Sequence, residues 1–252
     1  VLMLLSLSLW AVYAGAACWQ RSRPGGWNYW RLASFTLGCG LLVLAFSPPA
    51  TQWGHSDLRG HMAQHLLLGM FAPIALVLGA PGTLLLRSVS VNAARRHTAF
   101  LGTLPVRCLT HPVIALLLDI GGLYLLYLTP LYGLSLGDPA VHILLHLHFV
   151  IAGYLFSWSI AGPDPAPRRP GMRTRLAVLF AATATHSILA KLMYGYGFPR
   201  DAGHELAEIE AAAQLMYYGG DLAELLLAIV FFAVWYRRDG RHRFSISSAD
   251  PK

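Results

Sequence analysis

The stretch His61 to Leu86, HMAQHLLLGMFAPIALVLGAPGTLLL, decides how this chain is read. It contains no Asp, Glu, Lys or Arg. An uncharged apolar run of roughly 18 residues or more is long enough to cross a bilayer as a helix. His61 and His65 stand at its start, four residues apart, so on a helix they share one face. The pattern recurs at His142-Ile143-Leu144-Leu145-His146, which opens another long apolar run, with His148 just beyond. An imidazole inside a membrane is costly unless it has a partner, and a metal ion is an economical partner.

Working outward from 62–86, similar runs cover about 1–20, 31–48, 111–129, 139–161, 173–195 and 212–236. The chain is 56% hydrophobic and 12% charged over 252 residues. Soluble domains carry about twice that charge. The expectation is an all-α polytopic membrane protein with seven transmembrane helices. It forms a single domain over 1–252 with a tail from about 237. The first run has no charged region before it and no small-residue cleavage site after it, so it is read as a span rather than a signal peptide.

The net charge of +7 would suit nucleic acid, but its distribution points to a membrane and not to nucleic acid. Arg21, Arg23 and Arg31 flank the first connection, and Arg87, Arg95, Arg96 and Arg107 fill the third. Arg168, Arg169, Arg173 and Arg175 fill the fifth, and Arg237, Arg238, Arg241, Arg243 and Lys252 follow the last run. Only Arg59, Lys191 and Arg200 fall on the other side. Basic residues concentrate on cytoplasmic loops, so the N-terminus is expected outside and the C-terminus inside. Asp57, Asp138, Asp201, Glu205, Glu208 and Glu210 then lie outside. Cys18, Cys39 and Cys108 have no short mutual spacing, which makes a thiolate metal site or a disulfide framework improbable.

This topology converts positions into depths. Both histidine pairs fall in outer turns of their helices. His186 lies about nine residues from the outer end of its run, or on the order of 13 Å at 1.5 Å per residue. Asp221 reaches a similar depth from the last run, with Glu224 one turn further. The candidate metal ligands are therefore His61, His65, His142, His146 and His186. Asp221, Glu224, Met70, Met193 and Met216 are candidates for further ligands or for support behind them. Imidazole suits copper, zinc and iron, whereas thioether suits Cu(I), so a lining without cysteine favours copper, as Cu(I) or Cu(II), over zinc. His148, two residues after His146, falls on roughly the opposite face and reads as a packing residue. His55 and His204 lie in outer loops, as metal-capturing or as ordinary solvated residues. Asp119 sits mid-run with no obvious partner, and Lys191 either snorkels or pairs with an acidic residue. Gly219-Gly220 reads as a close-packing or bending point. Gly162 to Pro170, with four prolines, reads as a stiff turn.

These residues resemble the CtaG-type integral-membrane cytochrome c oxidase assembly proteins of bacteria, from about residue 55 onward. The matching stretches are HMxQHLLL at 61–68, Ala72-Pro73, Leu78-Gly79-Ala80-Pro81 and Thr110-His111-Pro112. Leu128-Thr129-Pro130-Leu131-Tyr132, His142 to Phe149, Ala152-Gly153-Tyr154-Leu155-Phe156 and Gly162-Pro163-Asp164-Pro165 continue the series. Gln214, Gly219-Gly220-Asp221-Leu222 and Trp235-Tyr236-Arg237 close it. The resemblance implies an assembly factor rather than an enzyme, in the bacterial inner membrane. Such a factor would take copper from a periplasmic donor and pass it to the catalytic subunit of a haem-copper oxidase. Its matching histidines are His61, His65, His142 and His146. The chain departs from the family pattern at Tyr127-Leu128-Thr129, where many members have Trp-His, and at Ala213, where many have an acidic residue.

Spacing alone leaves other readings open. Two histidines on facing helices can ligate a b-type haem. Di-iron oxygenases also use HxxxH boxes, though typically more of them and on the cytoplasmic side. A structural scaffold would hydrogen-bond its histidines to Asp221 and Glu224. A homodimer is compatible with all of these.

Overall fold

The computed structural model describes residues 1–166, 168–200 and 203–247, with side chains as far as Arg237. Pro167, Asp201 and Lys252, and the side chains of Arg238, Arg241, His242 and Arg243, lie outside the described residues. Every regular element among the described residues is helical.

Proline and small capping side chains start the helices. α1 covers Leu2–Arg21, and α2 covers Tyr29–Ala45, where Asn28 accepts a hydrogen bond from the Trp30 N–H. α3 (Pro48–Ser56) begins on proline, whose missing N–H would be unsatisfied there anyway. α4 (Leu58–His65) is capped by Asp57, which accepts from the Arg59 N–H at 2.8 Å. The Arg59 guanidinium beside Asp57 holds its carboxyl down at about 2, so the cap is charged at neutral pH and favours the helix N-terminus. A π-helical turn, Leu66–Phe71, joins α4 to α5 (Ala72–Leu78), and together they form a continuous span of 21 residues.

The expected run of 62–86 ends eight residues early. Ala80 takes a left-handed conformation (φ 50°, ψ 55°), and α6 (Pro81–Ser88) restarts on Pro81. Proline has no N–H to continue the helix and pushes the residue before it out of helical geometry. The expected connection beyond contains two short helices, α7 (Val91–Leu101) and α8 (Leu104–Leu109). α9 (Pro112–Leu128) is followed by α10 (Leu131–Gly137), then α11 (Pro139–Ala161), α12 (Met172–Tyr196) and α13 (Leu206–Ser247).

Among the described residues five helical segments are each long and apolar enough to cross a membrane, and seven spans result if two bent pairs count as one each. The pairs are α2 with α3, bent by 53°, and α9 with α10, bent by 80°. The expected seven spans correspond to these five together with the two bent pairs, so the structure gives five to seven spans. Both breaks fall at proline, at Ser47-Pro48 and Thr129-Pro130.

The Leu58–Leu78 span lies at the centre. In its most apolar stretch 72% of residues are buried, against 17–39% in the other long spans. α2 packs along α5, where a side chain at Gly38 would meet Leu76 at 2.7 Å. α11 lies across α5, the π turn and α9, and α12 pairs with α13. Leu4, Leu5 and Val12 on α1, Phe180 on α12 and Leu225 on α13 face outward, as expected where the surroundings are lipid. In the connection after α11, Asp164 accepts from the N–H groups of Gly82 and Thr83 and from the Thr83 hydroxyl. Those contacts satisfy the start of α6.

Candidate metal centre

Four imidazoles from three helices meet in the interior near the start of the central span. His61 and His65 come from α4, His146 from α11 and His186 from α12, and all are at most 3% exposed. The ring centres of His61 and His146 are 6.4 Å apart, as are those of His65 and His186. Tyr127 on α9 stands edge-on to both rings of α4, 6.1 Å from His61 and 6.5 Å from His65. Tyr132 lies 4.9 Å from His61, Phe149 5.0 Å from His65 and Phe46 6.0 Å from His146. Three of the four imidazoles, His61, His65 and His146, thus have aromatic rings beside them.

Seven of the eight ring nitrogens have no hydrogen-bond partner: both in His61, His65 and His186, and Nε2 of His146. The eighth, Nδ1 of His146, is 3.0 Å from the His142 carbonyl oxygen. A carbonyl only accepts, so that nitrogen carries the hydrogen and Nε2 keeps its lone pair in the neutral ring. An unsatisfied buried polar group costs about 1–3 kcal/mol. Several together in one place call for a ligand to explain them. The scaffold reading fails on the same observation, because these rings make no hydrogen bond to Asp221 or Glu224. Among the described residues no group of three or more His, Cys, Asp or Glu side chains is placed to hold one ion together. The rings stand as pairs.

Local backbone features make room for this arrangement. A side chain at Gly220 would come 2.1 Å from Cε1 of His186, so α13 approaches α12 closely only because position 220 lacks one. The Gly219-Gly220 step is a close-packing point in a helix that continues unbroken. The π turn follows His65 directly. Its Gly69 carbonyl oxygen lies where a side chain at Gly153 would be, 1.9 Å away, which lets α11 lie against the turn. Single π turns recur at functional sites because the extra residue re-aims the side chains beside it.

The other predicted residues are distributed as follows. His142 sits at the rim, its ring centre 4.2 Å from that of His146 and 4.4 Å from that of His55. Met193 and Met216 are completely buried in the apolar core that also holds Met62 and Phe149. Asp221 accepts a hydrogen bond from the Ser187 hydroxyl at 3.3 Å, in a groove between α12 and α13. Glu224 shares that groove and also borders a small void with Asp119 and Met70. Asp119 therefore has a second carboxyl as its neighbour. His148 packs on α9, with Nε2 2.9 Å from the Leu118 carbonyl oxygen and Gly122 clearing its path. Lys191 finds an aromatic face, with Nζ 5.5 Å from the Tyr217 ring centre, rather than an acidic residue. His204 links the Tyr132 hydroxyl to Glu208, which also accepts from the Leu58 N–H.

Sequence reasoning missed the aromatic wall of Tyr127, Tyr132 and Phe149, and the approach of His55 to His142. Tyr127 had a signal, since it stands where the resemblance broke. His55 had none, because its nearness depends on the bend between α2 and α3.

Residues 11–238 match the sequence profile of a family described as cytochrome c oxidase caa3 assembly factor. The chain belongs to this family. Uncharacterized proteins of Mycobacterium bovis and Mycobacterium tuberculosis are each 31% identical to it over 249 residues, covering 91% of this chain and 37% of theirs. One from Mycobacterium leprae is 30% identical over 234 residues, covering 85% of this chain and 35% of its own. The chain thus spans little more than a third of the length of these relatives. No solved structure matches it. The family match takes in every helix from α2 to α12, and all the imidazoles described above.

Proposed function

We propose that this chain is a membrane-embedded assembly factor for a haem-copper cytochrome c oxidase, that its buried imidazoles bind copper as cargo, and that it passes the ion to the oxidase catalytic subunit. Family membership supports the assembly role. The observation that carries the copper role is the set of seven unpartnered imidazole nitrogens inside the protein. Neutral imidazole is a good copper ligand, and paired rings suit an ion that accepts few ligands and must leave again. No catalytic step is part of this reading. The charge distribution supports an outward-facing site in the bacterial inner membrane, reached by copper from a periplasmic donor.

A b-type haem fits the geometry less well. A macrocycle between these rings would have to displace Tyr127 and Phe149, which are 0% and 2% exposed.

The test is titration of purified protein in detergent with Cu(I), against a chromophoric chelator, for the wild type and the paired variants His61→Ala/His146→Ala and His65→Ala/His186→Ala. The wild type is expected to take up copper stoichiometrically and each paired variant to lose it. Unchanged binding in both variants would overturn the assignment. A Soret band in the wild type would favour haem.

A further inference from the structure

Three imidazoles lead from the surface of the protein to the buried group. The His55 ring is exposed on α3, His142 is half-buried on α11, and His146 is 3% exposed one turn further along α11. Their ring centres are 4.4 Å and 4.2 Å apart in sequence, and His61 follows 6.4 Å beyond His146. The outermost and innermost rings of this path have the same backbone arrangement. Nδ1 of His55 is 2.7 Å from the Thr51 carbonyl oxygen, as Nδ1 of His146 is 3.0 Å from that of His142. Both contacts reach back four residues along a helix. In both, the carbonyl fixes the hydrogen on Nδ1 and leaves the Nε2 lone pair for a cation.

We propose that His55 and His142 form a shallow copper-docking site through which the ion reaches the interior, His146 being the step between them and the buried pairs. This rests on the copper reading above. The transfer is ligand exchange at constant valence: one Nε2–copper bond forms as another breaks, with no electron moved and no proton required while the rings are neutral. A short path of neighbouring ligands spares the ion from shedding all its donors at once in an apolar interior, where a bare cation is very costly. α3 contributes only its last turn to this path, and the bend of 53° after α2 is what turns that part of the chain toward α11.

The experiment is stopped-flow transfer of copper from the Cu(I)–bicinchoninate complex to the detergent-purified full chain, followed by loss of the chelator's colour. His55→Ala, His142→Ala and their combination are compared with wild type, and His97→Ala on α7 serves as control. The double variant is expected to load at least about tenfold more slowly, with the same final copper per chain and the same affinity; the control is expected to load at the wild-type rate. A double variant that loads at the wild-type rate would overturn the docking site. So would one that loses final stoichiometry, because His142 would then belong to the store itself. A wild type that takes no copper would overturn the copper reading, and the docking site with it, which separates the two failures. His55 is exposed, so its variant is expected to keep the wild-type melting temperature, and the single His55→Ala rate alone decides the case if His142→Ala misfolds.

Discussion

Single atoms decide whether the imidazoles can sit where they do. His186 fits against α13 because Gly220 has no side chain, and a methyl group there would stand 2.1 Å from Cε1. Either the ring turns away or the helices separate. Overpacking of this kind costs about 1–3 kcal/mol, and displacing a group that supports a metal ligand typically costs about 10- to 100-fold in affinity. Gly220→Ala is therefore expected to weaken copper binding by that factor while every histidine remains, measured by chelator competition. Unchanged affinity would show that His186 does not contribute. The unpartnered nitrogens also predict a trade-off. His65→Leu removes two unsatisfied polar atoms and keeps the volume apolar, so the copper-free protein is expected to melt at the same temperature or higher. The melting shift that copper gives the wild type should vanish. A fall in copper-free stability with the copper shift intact would contradict the account.

At the level of elements, the π turn at Leu66–Phe71 and the prolines set the geometry. The extra residue in the turn changes the phase of α5 relative to α4. His61 and His65 thereby face the aromatic group while Met70 faces the void beside Asp119 and Glu224. Gly153 on α11 accepts the displaced Gly69 carbonyl. Gly153→Ala would place a methyl group on that oxygen, and backbone has little freedom to yield. The expected loss is about 1–3 kcal/mol, read as a lowered melting temperature, with His65 and His146 pushed apart and copper loading impaired. A variant as stable as wild type would show that the close approach is not needed. The helix positions were legible from the apolar runs. The π turn was not legible, because one inserted residue leaves the apolar pattern of 62–78 nearly unchanged.

Over the whole molecule, six of the eight cation–aromatic pairs among the described residues fall on one side, Lys191 over Tyr217 and Arg200 over Phe198 being on the other. Arg21 lies over Tyr29, Arg23 over Trp19, Arg31 and Arg87 over Trp27, Arg169 over Trp158 and Arg175 over Phe231. All six arginines belong to the connections assigned to the inner face. Such pairs anchor a protein at a membrane interface. The imidazoles lie toward the opposite end, near the capped start of α4. The orientation is open to direct measurement. Cys108 is exposed at the end of α8, and Ser56→Cys would place a thiol beside His55. In intact spheroplasts a membrane-impermeant maleimide is expected to label Ser56→Cys and to spare Cys108 until the membrane is broken. Labelling of Cys108 from outside would reverse the topology and leave the buried imidazoles toward the cytoplasm.

The sequence by itself determined the class of protein. Uncharged runs long enough to cross a bilayer, separated by arginine-bearing connections, leave few alternatives, because backbone in lipid must satisfy its own hydrogen bonds. It also determined that the two HxxxH pairs each present one face, since that follows from 3.6 residues per turn. Only the tertiary structure decided which faces meet. It brought His61 to His146 and His65 to His186, set Asp221 on Ser187, and turned His55 toward His142. Those outcomes depend on two proline bends, one π turn and two glycine contacts. Each changes the rotation of a helix without changing how apolar it is, so the run of hydrophobic residues carries no record of them.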